Sequence, residues 1–278
     1  AQPKPLPGTA APGDLLLGSI HYGQGNSNLI GPGKKPGGYP VTLRVALAKA
    51  DKKKTGADKK KDKKTEQEKL AEAGRDLKVA RLAKLHGETQ ILIFNQNGLA
   101  AHSPQNGSVA WEFDWSVPFP HVSMPVTLPG NRILLSLGYG KGSKLLQVDF
   151  GGGIFSAKEL WKSNRMKAKF TNLIFHDDHF YGLDDGIFAC IDAQRGRRKW
   201  KDGRYGHGQI LLRGGHILVM AENGDVVLLE ANPEKQVELT RFAALDGKTW
   251  NPPALVGDYL LVRNHREAAC YKLPLAKP

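Results

Sequence analysis

Residues 170–200 read FTNLIFHDDHFYGLDDGIFACIDAQRGRRKW, and this stretch decides the fold because other parts of the chain are imperfect copies of it. Residues 173–176 and 179–183 are short apolar runs on either side of Asp177-Asp178, a pair suited to a tight hairpin turn, so they are expected to form two adjacent antiparallel strands. Asp185-Gly186 makes a second turn, residues 187–192 supply a third strand, and Gly196 ends a further turn before a short fourth strand that finishes at Trp200. One unit therefore reads as a four-stranded antiparallel meander.

The copies are found by anchoring on Gly and Trp. Gly98-Leu99-Ala100-Ala101 and Gly107-Ser108-Val109-Ala110-Trp111 repeat the second and third turns, with the same Gly-to-Trp interval as Gly196 and Trp200. Trp161 closes a unit that begins near His121, Asn223-Gly224 marks another that lacks the Trp, and residues 253–271 supply the last. A period of about 40 to 50 residues is that of propeller blades. The expected fold is an all-β propeller of about six four-stranded blades, the first incomplete, in a ring that is either closed by its N-terminal strand or short of units.

The phrases DDGIFACIDAQRGRRKW and NQNGLAAHSPQNGSVAW resemble the PQQ-like β-propeller repeat, and the resemblance extends over residues 85–278. That superfamily includes quinoprotein dehydrogenases, the propeller lipoprotein of the bacterial outer-membrane barrel-assembly machine, and many exported bacterial proteins. KDGRYGHGQILL and LDGKTWNPPALVGDYLLVRN are similar to the last group. The resemblance implies the fold and a periplasmic or secreted location; it specifies activity far less, since one fold hosts many functions. It raises PQQ as a cofactor by family likeness only. The quinoprotein centre rests on acidic residues and an amide around calcium and quinone, commonly with adjacent cysteines. Here Cys190 and Cys270 are far apart, and no cofactor or metal is expected.

Composition divides the chain into a Pro- and Ala-rich tail at 1–12, an incomplete first blade at 13–48, a lysine-rich insertion at 49–74, and blades from 75 to 278. In the first blade, strands are expected over 14–20 and 41–47. Within 49–84, 14 Lys and Arg face 7 Asp and Glu, which is more than half of the net charge of +13. Such a segment cannot bury enough apolar surface to offset its ordering entropy. Leu70, Leu77 and Leu82 fall at helical spacing and suggest a weak helix over 65–82, while 77–79 could open the next inner strand. The insertion is expected to be a solvated connection. Its alternative role is weak contact with anionic polymers or a membrane surface; without interleaved aromatics, specific nucleic-acid binding is not expected. No apolar run is long enough for a transmembrane span. The start at Ala1 fits a mature exported protein or a trimmed chain.

Several motifs dissolve on inspection. His176-Asp177-Asp178-His179 looks like a metal cluster, but its phase is that of Gly130-Asn131, Gly214-Gly215 and Gly257-Asp258, so turn chemistry is the reading. Gly247-Lys248-Thr249 resembles the end of a phosphate-binding loop, yet Phe242 stands where its first glycine belongs and Pro252-Pro253 follow where a helix should run. Cys190 and Cys270 fall in the third strands of their own units, two blades apart, and are expected to be buried free thiols.

Aligning the inner strands places Val126, Leu173, Ile210 and Pro253 in equivalent positions, and the residues before them should meet around the mouth of a central channel. The candidate rim is His121, Lys169, Asn172, Tyr205, His207, Gln209, Trp250 and Asn251. One reading is a site for a protein or small ligand; the other is that these groups lock the blades together. Under the second, Trp250→Ala would cost about 3–5 kcal/mol. No carboxylate pair and no Ser/His/Asp arrangement occupies these phases, which leaves catalysis without candidates. The expected function is a non-catalytic binding or scaffolding module of the bacterial cell envelope. The alternative from another class is a PQQ- or metal-dependent oxidoreductase-like remnant.

Overall fold

The computed structural model describes residues 16–22, 41–46 and 79–273. All regular structure among them is strand. β1 (Leu16–Tyr22) and β2 (Val41–Ala46) form a two-stranded antiparallel sheet. Four meanders of four strands follow. The first contains β3 (Val79–Leu85), β4 (Glu88–Asn95), β5 (Gly98–His102) and β6 (Val109–Asp114). The second contains β7 (Val126–Leu128), β8 (Arg132–Leu137), β9 (Gly142–Gly151) and β10 (Ile154–Ser163). The third contains β11 (Ile174–His176), β12 (His179–Asp184), β13 (Ile187–Asp192) and β14 (Arg198–Arg204). The fourth contains β15 (Gln209–Arg213), β16 (His216–Met220), β17 (Asp225–Glu230) and β18 (Glu238–Ala243). β19 (Ala254–Val256), β20 (Tyr259–Arg263) and β21 (Ala268–Lys272) make a three-stranded last sheet. Within each sheet the strands pair in chain order, giving an all-β propeller of four-stranded blades.

Local chemistry explains the turns. A two-residue hairpin that matches strand twist needs positive φ at both central residues, which Gly, Asn and Asp tolerate best. Asp177 and Asp178 have φ of 45° and 58°, and Asp185 and Gly186 have 50° and 84°. The His-Asp-Asp-His run is therefore a hairpin turn joining β11 to β12.

Two details differ from expectation. β14 does not stop at Trp200 but continues to Arg204, because a bulge lets Asp202 and Gly203 pass before Arg204 pairs with Ile187. Residues 79–82 of the expected helix are strand, with Ala83 and Leu85 buried and Leu82 exposed in the alternation of a sheet. The lysine-rich insertion, the N-terminal tail and the rest of that helix lie outside the described residues, as do Asp14 and Leu15 of the first expected strand.

The core is a set of seams between neighbouring sheets. Leu92, Phe94, Trp111 and Trp115 meet Ile133, Leu135 and Leu146 in the first seam. Phe180, Ala189 and Ile191 meet Leu134 and Leu145 in the second. Tyr181, Phe188 and Cys190 meet Val219 and Leu229 in the third, and Leu218 and Met220 meet Leu260 and Val262 in the fourth. Each large side chain so buried contributes about 1.5–3 kcal/mol. Both cysteines are free and buried. Burial and the neighbouring Tyr181 hydroxyl set the Cys190 thiol, and burial dominates, pushing it up to about 12. It is inert at neutral pH.

Candidate functional site

A crossover carries the chain from the outer strand of one blade to the inner strand of the next. The inner strands β7 and β11 are only three residues long and lie side by side, so the crossovers that feed them converge on one face. Polar side chains tie these crossovers together. Asn172 Oδ1 accepts the Met124 N–H at 2.9 Å, and Thr171 Oγ1 donates to Gly208 O at 2.6 Å. Gln209 Nε2 donates to both Phe170 O (2.8 Å) and Trp250 O (3.1 Å).

On this frame runs a ladder of aromatic rings and ammonium groups. Phe119 stacks on Tyr139 with centroids 4.9 Å apart, and Lys141 Nζ lies 5.3 Å from the Phe119 centroid. Lys169 Nζ sits between blades, 4.7 Å from the Tyr139 ring and 5.4 Å from Phe170. Phe170 contacts the His207 ring edge-on at 5.5 Å and Trp250 at 5.2 Å. Lys248 Nζ completes the series 4.7 Å from the Trp250 centroid. A cation over an aromatic face is held by the ring quadrupole at about 0.5–1 kcal/mol when exposed.

Glu222 anchors one end. Its Oε2 accepts the His207 backbone N–H at 2.8 Å and its Oε1 accepts the Trp250 indole N–H at 3.0 Å. Partial burial pushes this carboxyl up, but the His207 N–H, the Trp250 indole and the Lys248 charge outweigh it and hold the group below the usual carboxylate range. Trp250 is thus oriented without being buried: it is 44% exposed.

The eight expected rim residues separate into two sets. Lys169, His207 and Trp250 are brought together through Phe170, with Asn251 half-buried beside them. The other four are structural. His121 is fully buried rather than at a rim; its Nδ1–H donates to Phe119 O at 2.8 Å, its ring meets Phe94 edge-on at 4.4 Å, and desolvation depresses its basicity. Tyr205 is buried, its hydroxyl donating to Glu238 Oε2 at 3.0 Å. Burial first, then that carboxylate, raises its pKa. Gln209 and Asn172 spend their amides on the crossover ties. Trp250 departs from the packed-interior reading, since nearly half of its surface is exposed.

Phe119, Tyr139, Lys141, Phe170, Glu222 and Lys248 were not in the expected set. One signal for Tyr139 was present: it stands at φ 58° in the β8–β9 turn, where the third blade has Asp185. A bulky residue in the left-handed region is strained, and such strain marks positions kept for another reason.

The calcium–quinone centre can be tested on the donor set. Glu222 is the carboxylate of this cluster, and both of its oxygens are already engaged by N–H donors. The residues present do not fit that group.

A family model described as outer membrane protein assembly factor BamB matches residues 44–202. Among solved structures, BamB from Moraxella catarrhalis is 14% identical with a TM-score of 0.49, covering 68% of this chain and 55% of its own. The computationally designed Ika8 protein is 8% identical with a TM-score of 0.50, covering 70% of this chain and 57% of its own. The β-propeller domain of Cps50 (Swd1) from Myceliophteria thermophila is 17% identical with a TM-score of 0.49, covering 69% of each chain. The chain thus spans about half the length of the BamB that it resembles. No curated protein matches it.

Proposed function

The chain belongs to the family described as outer membrane protein assembly factor BamB, and from that premise we propose that it is a non-catalytic scaffold of the bacterial cell envelope that docks a protein segment on its crossover face. The observation that carries this reading is the aromatic–cation ladder. Rigid aromatic surface held in place before binding loses little entropy on contact, which is why Trp and Tyr dominate binding energy at interfaces. Trp250 is such a surface, aimed by Glu222 and flanked by Lys248. Lys141, Lys169 and Lys248 sit along the same line, so the segment that fits is extended and alternates apolar with acidic side chains. The description of the family supports the envelope location. No acid–base pair or activated nucleophile lies in the ladder, which supports binding over chemistry.

The test is fluorescence anisotropy with a labelled extended peptide of alternating Asp and Phe. Trp250→Ala and Lys169→Ala are each expected to weaken binding by about tenfold, a loss of about 1.4 kcal/mol, while the melting temperature stays within about 3 °C of the parent. Unchanged affinity in both variants overturns the proposal. So does an equal loss in Arg213→Ala, since Arg213 is the last residue of β15 and lies outside the ladder.

A further inference from the structure

A second concave feature lies away from the ladder, at the seam between the β7–β10 and β11–β14 sheets. It is a cleft of about 690 Å³. One wall is the end of β10 and the two residues after it, with Lys162 and Arg165; the other is the β13–β14 turn and the first residue of β14, with Arg195, Arg197 and Arg198. No carboxylate lines it. We propose that this cleft is a binding site for a phosphate ester, held by the guanidinium groups of Arg165, Arg195 and Arg197.

The walls are fixed before any ligand arrives. Trp161 Nε1 donates to Ala193 O at 3.1 Å, and Ser163 Oγ donates to Gly196 O at 2.6 Å, so the end of β10 is bolted to the turn. Gly196, at φ 64°, lets the turn approach: a Cβ there would lie 2.7 Å from the Trp161 ring. The turn itself is shaped by Asp192, whose two oxygens accept the backbone N–H groups of Arg195 (2.7 Å) and Arg197 (2.8 Å).

The acids nearby are consumed elsewhere. Asp192 is spent on backbone donors. Asp184 is fully buried and is shared by Lys167, Lys201 and Arg198, so three cations already divide one carboxylate. Among the described residues, Lys162, Arg165, Arg195 and Arg197 form no ion pair, and all four are exposed. Like charges gathered in a cleft repel, and a dianion between them removes that repulsion. Arginine favours phosphate in particular, because its planar fork donates two parallel hydrogen bonds to a phosphate oxygen pair. The volume suits a phosphorylated small molecule or the phosphate head of a lipid.

The two sources are separated by experiment on the full chain. Isothermal titration with inorganic pyrophosphate probes a soluble ester. Flotation with phosphatidylcholine vesicles, with and without phosphatidic acid, probes a headgroup. Pyrophosphate binding that weakens at least about tenfold in Arg165→Gln/Arg197→Gln supports a soluble ligand. Flotation that requires phosphatidic acid and is lost in that variant, without pyrophosphate binding, supports the lipid. Arg197→Lys, which keeps the charge and loses the fork, is expected to fall between. The lysine-rich stretch at 49–74 is an internal control, because the double substitution leaves it intact. Binding that persists unchanged in the variant overturns the proposal, as does failure of both probes to bind. Should the first pair compromise folding, Lys162→Gln/Arg195→Gln tests the same cleft from both walls, and the same outcomes apply.

Discussion

Strands β6, β10 and β14 carry a tryptophan at one register position, and β18 carries Thr240 there. The register is explicit: Trp111 faces Ala101, Trp161 faces Leu145, Trp200 faces Cys190, and Thr240 faces Leu228, each beside a bulge. In the two middle seams the indole reaches across to the next blade, Trp161 to Ala193 O at 3.1 Å and Trp200 to Asn232 O at 3.0 Å. Those carbonyls belong to turns that end the third strand of the neighbour. The first seam differs because β9 runs on for three residues past Val148, the position equivalent to Ala193, and the Val148 carbonyl is taken by His86 Nε2 at 2.8 Å. Trp111 accordingly donates to Gln90 of its own blade at 2.8 Å. At the fourth seam Thr240 is exposed, and the blades are joined by other groups: Tyr271 donates to Ala244 O at 2.6 Å and Asn264 Nδ2 to Asp246 O at 2.9 Å. The tryptophan is a component of the seam, and its value depends on the acceptor within reach.

The largest effect that bears on this contrast is expected from Trp111→Ala. It removes a side chain that is 5% exposed from the first core and strands the Gln90 amide, so urea denaturation should show a loss of about 3–5 kcal/mol. Thr240→Ala at the matching position should stay within about 0.5 kcal/mol. Similar losses in the two variants would break the contrast.

A smaller effect isolates the hydrogen bond from the packing. Trp200→Phe keeps an aromatic ring in the third seam but removes the donor to Asn232 O, and is expected to cost about 1 kcal/mol. A loss as large as that of Trp111→Ala would mean that ring volume, and not the carbonyl, sets the position.

The smallest effect concerns acid and the first seam alone. His121 is buried against Phe94 with its basicity depressed by desolvation, and its Nε2 has no partner. The unfolded chain therefore binds a proton that the folded chain refuses. Its contribution to stability is complete above the ordinary histidine range near about 6.5 and is lost as pH falls toward the depressed folded value. Chemical denaturation from pH 7.5 down to about 5.5 should show this decline, and His121→Phe should flatten it. An identical slope in the variant assigns the acid sensitivity to another group.

Much of the fold was legible because its determinants are local. Asp177-Asp178 and Asp185-Gly186 announce their turns, and the Gly-to-Trp interval repeats with the blade. The helix suggested by Leu70, Leu77 and Leu82 was misleading at its end. Leucines at helical spacing overlap with strand alternation in so short a run, and pairing of β3 with β4 decided the state of 79–82. The site was half legible. His207 and Trp250 share a phase of the repeat with Phe170, Lys169 is one position before it, and all four do meet. Glu222 and Tyr139 escaped because they sit near turns between second and third strands, which no alignment of crossovers compares.

Sequence alone determined the antiparallel meanders and their hairpin turns, since each follows from residues within a few positions of one another. Tertiary structure alone decided which acceptor each indole meets, that Trp250 stays partly exposed, and that Asp184 is already engaged beside a cleft lined with arginine. Those outcomes depend on groups on different strands, between 14 residues apart (Arg198 and Asp184) and 32 (Trp161 and Ala193), brought within hydrogen-bonding distance only when the strands pair and the sheets pack. Hydrogen bonding and charge compensation fall off over a few ångströms, so the repeat pattern can show which residues share a phase and not which of them touch.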